Sequence, residues 1–277
     1  MIDAHHHLWD PSQAHYPWLE REQAAPVRRR FDIADLRAVT AGHDVEGTVV
    51  IEARHSLDET RSLMAVAASG DLVSAVVGWV DLTDPGLEDV LAGLRSEPGG
   101  DRLAGIRVEL DAHEPEWLAR PEVKRGLRTL AAAGLTYDVL ADASQLGAAV
   151  SAARSVPELT VVVDHLGKPN VASGEDPAWA ASMAALGALP NVWCKVSGGS
   201  AARIMSRSPD AIRRVVAGVR EWFGDGRLVF GSDWPVCTLS APYSEVLRGW
   251  QELLADLAPA DREATFGGNA RRTYRLH

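Results

Sequence analysis

Cysteine is scarce in this chain, positive charge is in deficit, and long hydrophobic runs are missing. Two cysteines, Cys194 and Cys237, occur in 277 residues, so no disulfide framework supports the fold. Neither lies in a Cys-x-x-Cys pair, and both read as reduced thiols packed inside a cytoplasmic protein. No stretch reaches the roughly 18 apolar residues that a membrane span needs. The opening Met1-Ile2-Asp3-Ala4-His5 lacks the basic-then-apolar order of a signal peptide, so no membrane partner is expected. Lys and Arg number 28 against 38 Asp and Glu, a formal net charge of −10. An acidic surface repels phosphate backbones, which argues against nucleic acid as a partner. The one basic run, Arg28-Arg29-Arg30, reads as a solvated loop, with an anion contact at a site mouth as the alternative. A glycine-rich phosphate turn after the first strand is also missing, which disfavours a dinucleotide-binding open sheet.

What is present is ordinary globular material: 46% hydrophobic and 24% charged residues, enough to bury a sizeable core. Short β-branched runs alternate with Ala/Leu/Arg-rich segments of helical length. The candidate strands are Ile2–Leu8, Thr48–Ala53, Val73–Val80, Leu103–Leu110, Leu135–Leu140, Leu159–His165, Asn191–Ser197 and Arg227–Asp233. Their nearly continuous apolar character suits strands covered on both faces. The clearest helix is Tyr243–Leu257, with Tyr243, Val246, Leu247, Trp250, Leu253, Leu254 and Leu257 on one face. Eight strands, each followed by a helix, is the arithmetic of a (β/α)8 TIM barrel. With no linker, repeat or low-complexity tract, residues 1–277 are expected to form a single domain. The segment Asp10–Phe31 is long for a connection after a strand and is expected to wall the catalytic mouth without regular structure of its own.

Polar residues gather at the strand ends. Period-two geometry places Asp3, His5, His7 and Trp9 on one face of the first strand, pointing into the barrel, and Ile2, Ala4, His6 and Leu8 toward the helices. Two imidazoles spaced in this way can converge on one metal ion or one substrate oxygen. A packed histidine pair or a tag remnant is the other reading of the run. The same parity puts His165 in phase with Val161 and Val163, Asp233 with Gly231, Lys195 with Trp193 and Ser197, and turns Arg107 and Glu109 inward. Charged groups at the C-terminal ends of barrel strands are where catalysis sits.

The ordered set resembles a known family. Asp3-Ala4-His5-His6-His7-Leu8-Trp9-Asp10 with Tyr16-Pro17-Trp18-Leu19 is similar to the opening of the lactonase branch of the amidohydrolase superfamily. That branch includes L-fucono-, L-galactono- and L-rhamnonolactonases, with 2-pyrone-4,6-dicarboxylate lactonase as a relative. The resemblance runs through Ala53-Arg54, Gly78-Trp79-Val80-Asp81-Leu82 and Gly105-Ile106-Arg107. It continues through Asp164-His165-Leu166-Gly167-Lys168-Pro169 and Cys194-Lys195-Val196-Ser197-Gly198 to Phe230-Gly231-Ser232-Asp233-Trp234-Pro235-Val236 and Asn269-Ala270-Arg271.

The resemblance implies an amidohydrolase-type barrel that opens a cyclic ester, of a sugar acid or a small carboxylated ring, with His5, His7, His165 and Asp233 as the catalytic core. Asp233 would act as general base on water. The imidazoles, Lys195 or a metal would stabilise the oxyanion, and Arg107 would hold a carboxylate or hydroxyls with its fork of donors. Lys195, Glu52 and Trp79 complete the implied substrate-binding set. The same His5, His7, His165 and Asp233 are the ligands if a metal is bound. Binuclear members need a bridging lysine or glutamate after strand 4 and a histidine after strand 5. Glu109 would serve as the former, but Leu135–Asp142 holds no histidine. At most one ion, zinc first, is therefore implied, and metal-independent action stays open.

The chain departs from the branch where His6 and Glu52 replace the usual glutamines and where Val108-Glu109 follows Arg107. These departures touch recognition more than chemistry. A metal-dependent decarboxylase of the same superfamily and a non-catalytic binding barrel remain as alternatives. A small molecule is the expected partner, and a homodimer is compatible with the sequence.

Overall fold

Apolar runs with period two fold as strands, and the computed structural model pairs all eight in parallel in the order β1 to β8. It describes residues 1–70, 72–114, 116–169, 176–198 and 208–276. The strands are β1 (Ile2–His6), β2 (Gly47–Ile51), β3 (Val73–Gly78), β4 (Leu103–Glu109), β5 (Thr136–Leu140), β6 (Val161–Val163), β7 (Val192–Val196) and β8 (Leu228–Phe230). Each lies on an expected run and is shorter than it, with β2 starting one residue earlier, at Gly47. The circle closes beyond β8, where Asp233 N donates to His5 O at 2.8 Å and His7 N donates to Trp234 O at 2.7 Å.

Alternation along the strands divides the apolar residues into two layers. Val50, Val76, Ile106, Val108, Val161, Val163, Leu228 and Phe230 pack outward against helix residues such as Leu63, Met64, Leu127 and Val219. Val49, Ile51, Ala75, Val77, Val162 and Val229 fill the interior together with Ala270 and Tyr274 of the C-terminal helix Asn269–Tyr274. That helix therefore plugs the barrel from below. The outer helices start where the sequence supplies caps: Ser56 accepts from Glu59 N ahead of Leu57–Ala68, and Asp32 forms a reciprocal box with Asp35 ahead of Ile33–Thr40. The helix at Tyr243 ends at Leu253, four residues short of the expected end, although Leu254 and Leu257 stay buried.

Simple alternation fails in β1. Asp3 pairs with Thr48 and His6 with Val50, so three steps on β1 match two on β2. This extra residue is a bulge, and it flips the side-chain parity. Ile2 and Ala4, expected against the helices, lie in the interior layer. Asp3, expected inward, accepts from Ser232 N at 2.8 Å and lies beside the Tyr243 hydroxyl. Past the bulge the expectation holds: His6 bonds Thr48 Oγ1 at 2.9 Å, while His5 and His7 turn inward.

The segment Asp10–Phe31 is pinched at its base by reciprocal bonds between Trp9 and Phe31. It is not irregular throughout, because two short 3-10 helices, Pro17–Glu20 and Glu22–Val27, lie within it. Arg28 of the basic run donates to the Leu19, Glu20 and Arg21 carbonyls and ties the segment to itself. Among the described residues no helix is long and apolar enough to cross a membrane. Both cysteines are buried and free.

Gly231, one residue past β8, packs directly against His5 of β1. A methyl group there would lie 2.5 Å from His5 Cβ and 3.0 Å from His5 N. Gly231→Ala is expected to lower unfolding free energy by about 1–3 kcal/mol through overpacking. Urea denaturation measures it, and an unchanged midpoint would contradict the contact.

Candidate active site

Four side chains meet at the C-terminal end of the barrel. His5 lies within the bulged stretch of β1 and His7 one residue past the strand's end. His165 and Asp233 lie just beyond β6 and β8, and both adopt left-handed backbone, with φ of 54° and 61°. Such conformations are costly for residues with a Cβ and cluster at functional sites. They also override the expected parity: Val161 and Val163 face the helices, so the turn at His165, rather than strand phase, swings its ring inward. His5 Nε2 lies 3.2 Å from His7 Nε2. Asp233 Oδ1 is 3.7 Å from His5 Nε2, 3.5 Å from His7 Nε2 and 3.9 Å from His165 Nε2. Burial alone would push the Asp233 carboxyl up, but His165, His7 and His5 hold it well below the usual carboxylate range. Burial lowers the His165 and His5 pKa values, and the Lys195 cation lowers that of His5 further.

Each ring is oriented by a second partner. His7 Nδ1 lies 2.9 Å from the Ile51 carbonyl, which can only accept, so Nδ1 carries a proton. His165 Nδ1 lies 2.9 Å from Ser197 Oγ. Partners of this kind fix tautomer and direction.

Beneath the cluster lies a fully buried ionic layer. Lys195 Nζ donates to Asp138 Oδ2 at 2.6 Å and lies 3.0 Å from Asp164 Oδ1. Asp138 also accepts from the Tyr274 hydroxyl at 2.6 Å and the Thr136 hydroxyl at 2.9 Å. Arg107 Nε donates to Glu52 Oε1 at 2.7 Å, and Nη2 donates to the Glu52 carbonyl. Burial opposes ionisation of Asp164, yet Lys195 and His5 hold its carboxyl well below the usual range.

A cavity of about 410 Å³ opens above, lined by His7, His165, Asp233, Arg107, Glu109 and Lys168 with Leu140, Val236 and Leu239. Trp18, Arg21 and Gln23 of the long segment complete the wall, as expected for it, and the Trp18 indole donates to the Ala53 carbonyl at 2.9 Å. Of the expected substrate-binding residues, Arg107 lines this cavity. Lys195 and Glu52 are fully buried below it, committed to Asp138 and to Arg107. Trp79 lies outside the lining with its ring stacked on His55, centroids 5.9 Å apart. Sequence reasoning did not single out Asp138 or Asp164. Asp138 carried a signal, since an aspartate inside an apolar strand is disfavoured.

The donor set fits one divalent cation. His5 Nε2, His7 Nε2 and Asp233 Oδ1 lie within 4.8 Å of one another, all are buried, and imidazole with carboxylate is a zinc-type ligand set. The buried carboxylates of Asp138, Asp164 and Glu52 face the buried cations Lys195 and Arg107, whereas Asp233 Oδ1 faces the imidazoles of His5, His7 and His165.

Strand-end histidines and an aspartate converging on one cavity at the mouth of a parallel barrel define a (β/α)8 protein of the hydrolase type. The chain belongs to the amidohydrolase family, whose model matches residues 2–276. It is 36% identical over 285 residues to the L-fucono-1,5-lactonase of Burkholderia ambifaria, covering 99% of this chain and 95% of the relative. It also superposes on an amidohydrolase from Burkholderia multivorans with a TM-score of 0.91, covering 100% of this chain and 99% of that one. That protein was solved with bound Hepes, at 31% identity, and with bound zinc, at 30% identity.

Because the Arg107 fork is spent largely on Glu52, its removal should act first on stability. Arg107→Met leaves a buried carboxylate uncompensated and is expected to cost about 3–5 kcal/mol. Adding Glu52→Gln should recover part of the loss in chemical denaturation, and strictly additive losses would contradict the pairing.

Proposed function

We propose that this chain is a lactonase, with residues 1–277 acting as one amidohydrolase-like domain that opens the cyclic ester of a sugar acid. The observation that carries the reading is the Asp233 carboxylate, held ionised among His5, His7 and His165 on the floor of a cavity sized for a small ring. Full-length similarity to an L-fucono-1,5-lactonase points the same way.

In this reading a lactone lies in the cavity with its carbonyl toward His165, and Arg107, Lys168 and Arg21 meet its hydroxyls or carboxylate. Asp233 accepts a proton as water attacks the carbonyl carbon. With the Ser197 hydroxyl as donor to His165 Nδ1, 2.9 Å away, the ring proton would sit on Nε2 and stabilise the oxyanion. As the tetrahedral centre collapses, the ring C–O bond breaks and Asp233 returns its proton to the departing alkoxide. Water is consumed and one hydroxy acid forms. His5, His7 and Asp233 would hold a zinc ion, with His165 within reach, and such an ion lowers the pKa of a bound water to about 7. Lys195 and Glu52 act from below as positioning residues.

Acid release in weak buffer tests the proposal, with L-fucono-1,5-lactone, other aldonolactones, and pyrone and muconolactones as substrates. Enzyme-dependent acid from an aldonolactone is expected. Carbon dioxide from an aromatic carboxylic acid without lactone turnover would instead identify a decarboxylase. On the active lactone, Asp233→Asn should keep the wild-type melting profile and lose at least about 100-fold in kcat. A near-wild-type rate would remove Asp233 from the mechanism.

A further inference from the structure

The Lys195 ammonium can only donate. It bonds Asp138 Oδ2 at 2.6 Å and faces His5 Nδ1 at 3.2 Å, while Asp164 Oδ1, 3.0 Å away, pairs with its charge without a hydrogen bond. Lys195 cannot slide away, because Asp138 is itself held by the Tyr274 and Thr136 hydroxyls. On the far side of the same ring, His5 Nε2 is 3.2 Å from His7 Nε2, and a His7 ring whose one proton sits on Nδ1, toward the Ile51 carbonyl, accepts there. A donor faces one edge of His5 and an acceptor faces the other. Both contacts ask for the same tautomer.

We propose that Lys195, braced by Asp138 and Tyr274, is a positioning residue that keeps the ring proton of His5 on Nε2, toward His7 and Asp233. Two consequences follow. The group His5, Asp164 and His165, which has the spacing of a cation site, is already served by the lysine. A metal ion on the Nε2 side must displace the His5 proton, so the wild-type chain holds zinc less tightly than its ligand set alone would. The inference rests on the reading of this cluster as a hydrolase centre able to take one ion, but its tests do not depend on turnover.

The direct test is long-range proton–nitrogen correlation NMR of the metal-free chain labelled at its histidine rings, with His5 assigned through loss of its signals in His5→Gln. The Nε2–H tautomer is expected. An Nδ1–H tautomer, with the proton donated to Asp164, overturns the proposal. Lys195→Met alone leaves buried acids unpaired and threatens folding, so zinc titration uses Lys195→Met with Asp138→Asn, which removes a cation and an anion together. His5 Nδ1 can then donate to Asp164 in the carboxylate–histidine arrangement that strengthens metal ligation, and zinc should bind roughly tenfold tighter. Unchanged or weaker binding contradicts the proposal. Lactone turnover with an Nδ1–H His5 would sink this inference alone, whereas an Nε2–H His5 in a chain that opens no lactone would sink only the functional reading.

Discussion

The structure depends on burying ions at the centre of a barrel. Lys195, Asp138 and Asp164 are fully buried, and an isolated charge there would be costly. Each is tolerable because the others are in place, so their positions are fixed together. Lys195 comes from β7, Asp138 from β5, and Asp164 from the turn after β6. The C-terminal helix must dock from below, because Tyr274 bonds Asp138. The bulge in β1 must flip the parity of that strand, because with Ile2 and Ala4 inside, unbroken alternation would turn His6 rather than His5 and His7 inward.

Above this layer the same logic yields a chemical gradient. Partners below and beside the histidine rings set their direction, while the cavity side stays open. Asp233 lies where three imidazoles reinforce its ionised form. His165 and Asp233 take left-handed backbone that a strand could not supply, so local strain is spent on aiming two of the side chains that border both the cluster and the cavity. Apolar Leu140, Val236 and Leu239 share the wall with Arg21, Arg107 and Lys168, a lining suited to a small ring with polar substituents.

Much of this was legible in the residues. The eight strands show in apolar runs such as Val161-Val162-Val163, and His5, His7, His165 and Asp233 converge as their strand-end positions suggest. What failed did so for physical reasons. Period-two counting cannot register a bulge, so Asp3, Ile2 and Ala4 were placed on the wrong faces. Counting also carried strand phase past the true ends of β6 and β8, where the backbone is no longer extended. Lys195 reads as a substrate donor because a cation at a strand end looks available, but it lies buried below the cavity. Its commitments to Asp138 and Asp164 are long-range pairings that local sequence does not encode.

The account stands on water attacking an acyl carbon at the Asp233 centre. The most direct measurement follows the product of L-fucono-1,5-lactone in heavy-oxygen water by mass spectrometry. The account predicts enzyme-dependent formation of the hydroxy acid with one heavy oxygen in its carboxylate. No enzyme-dependent acid, or acid with the label on the hydroxyl released from the ring, would contradict it.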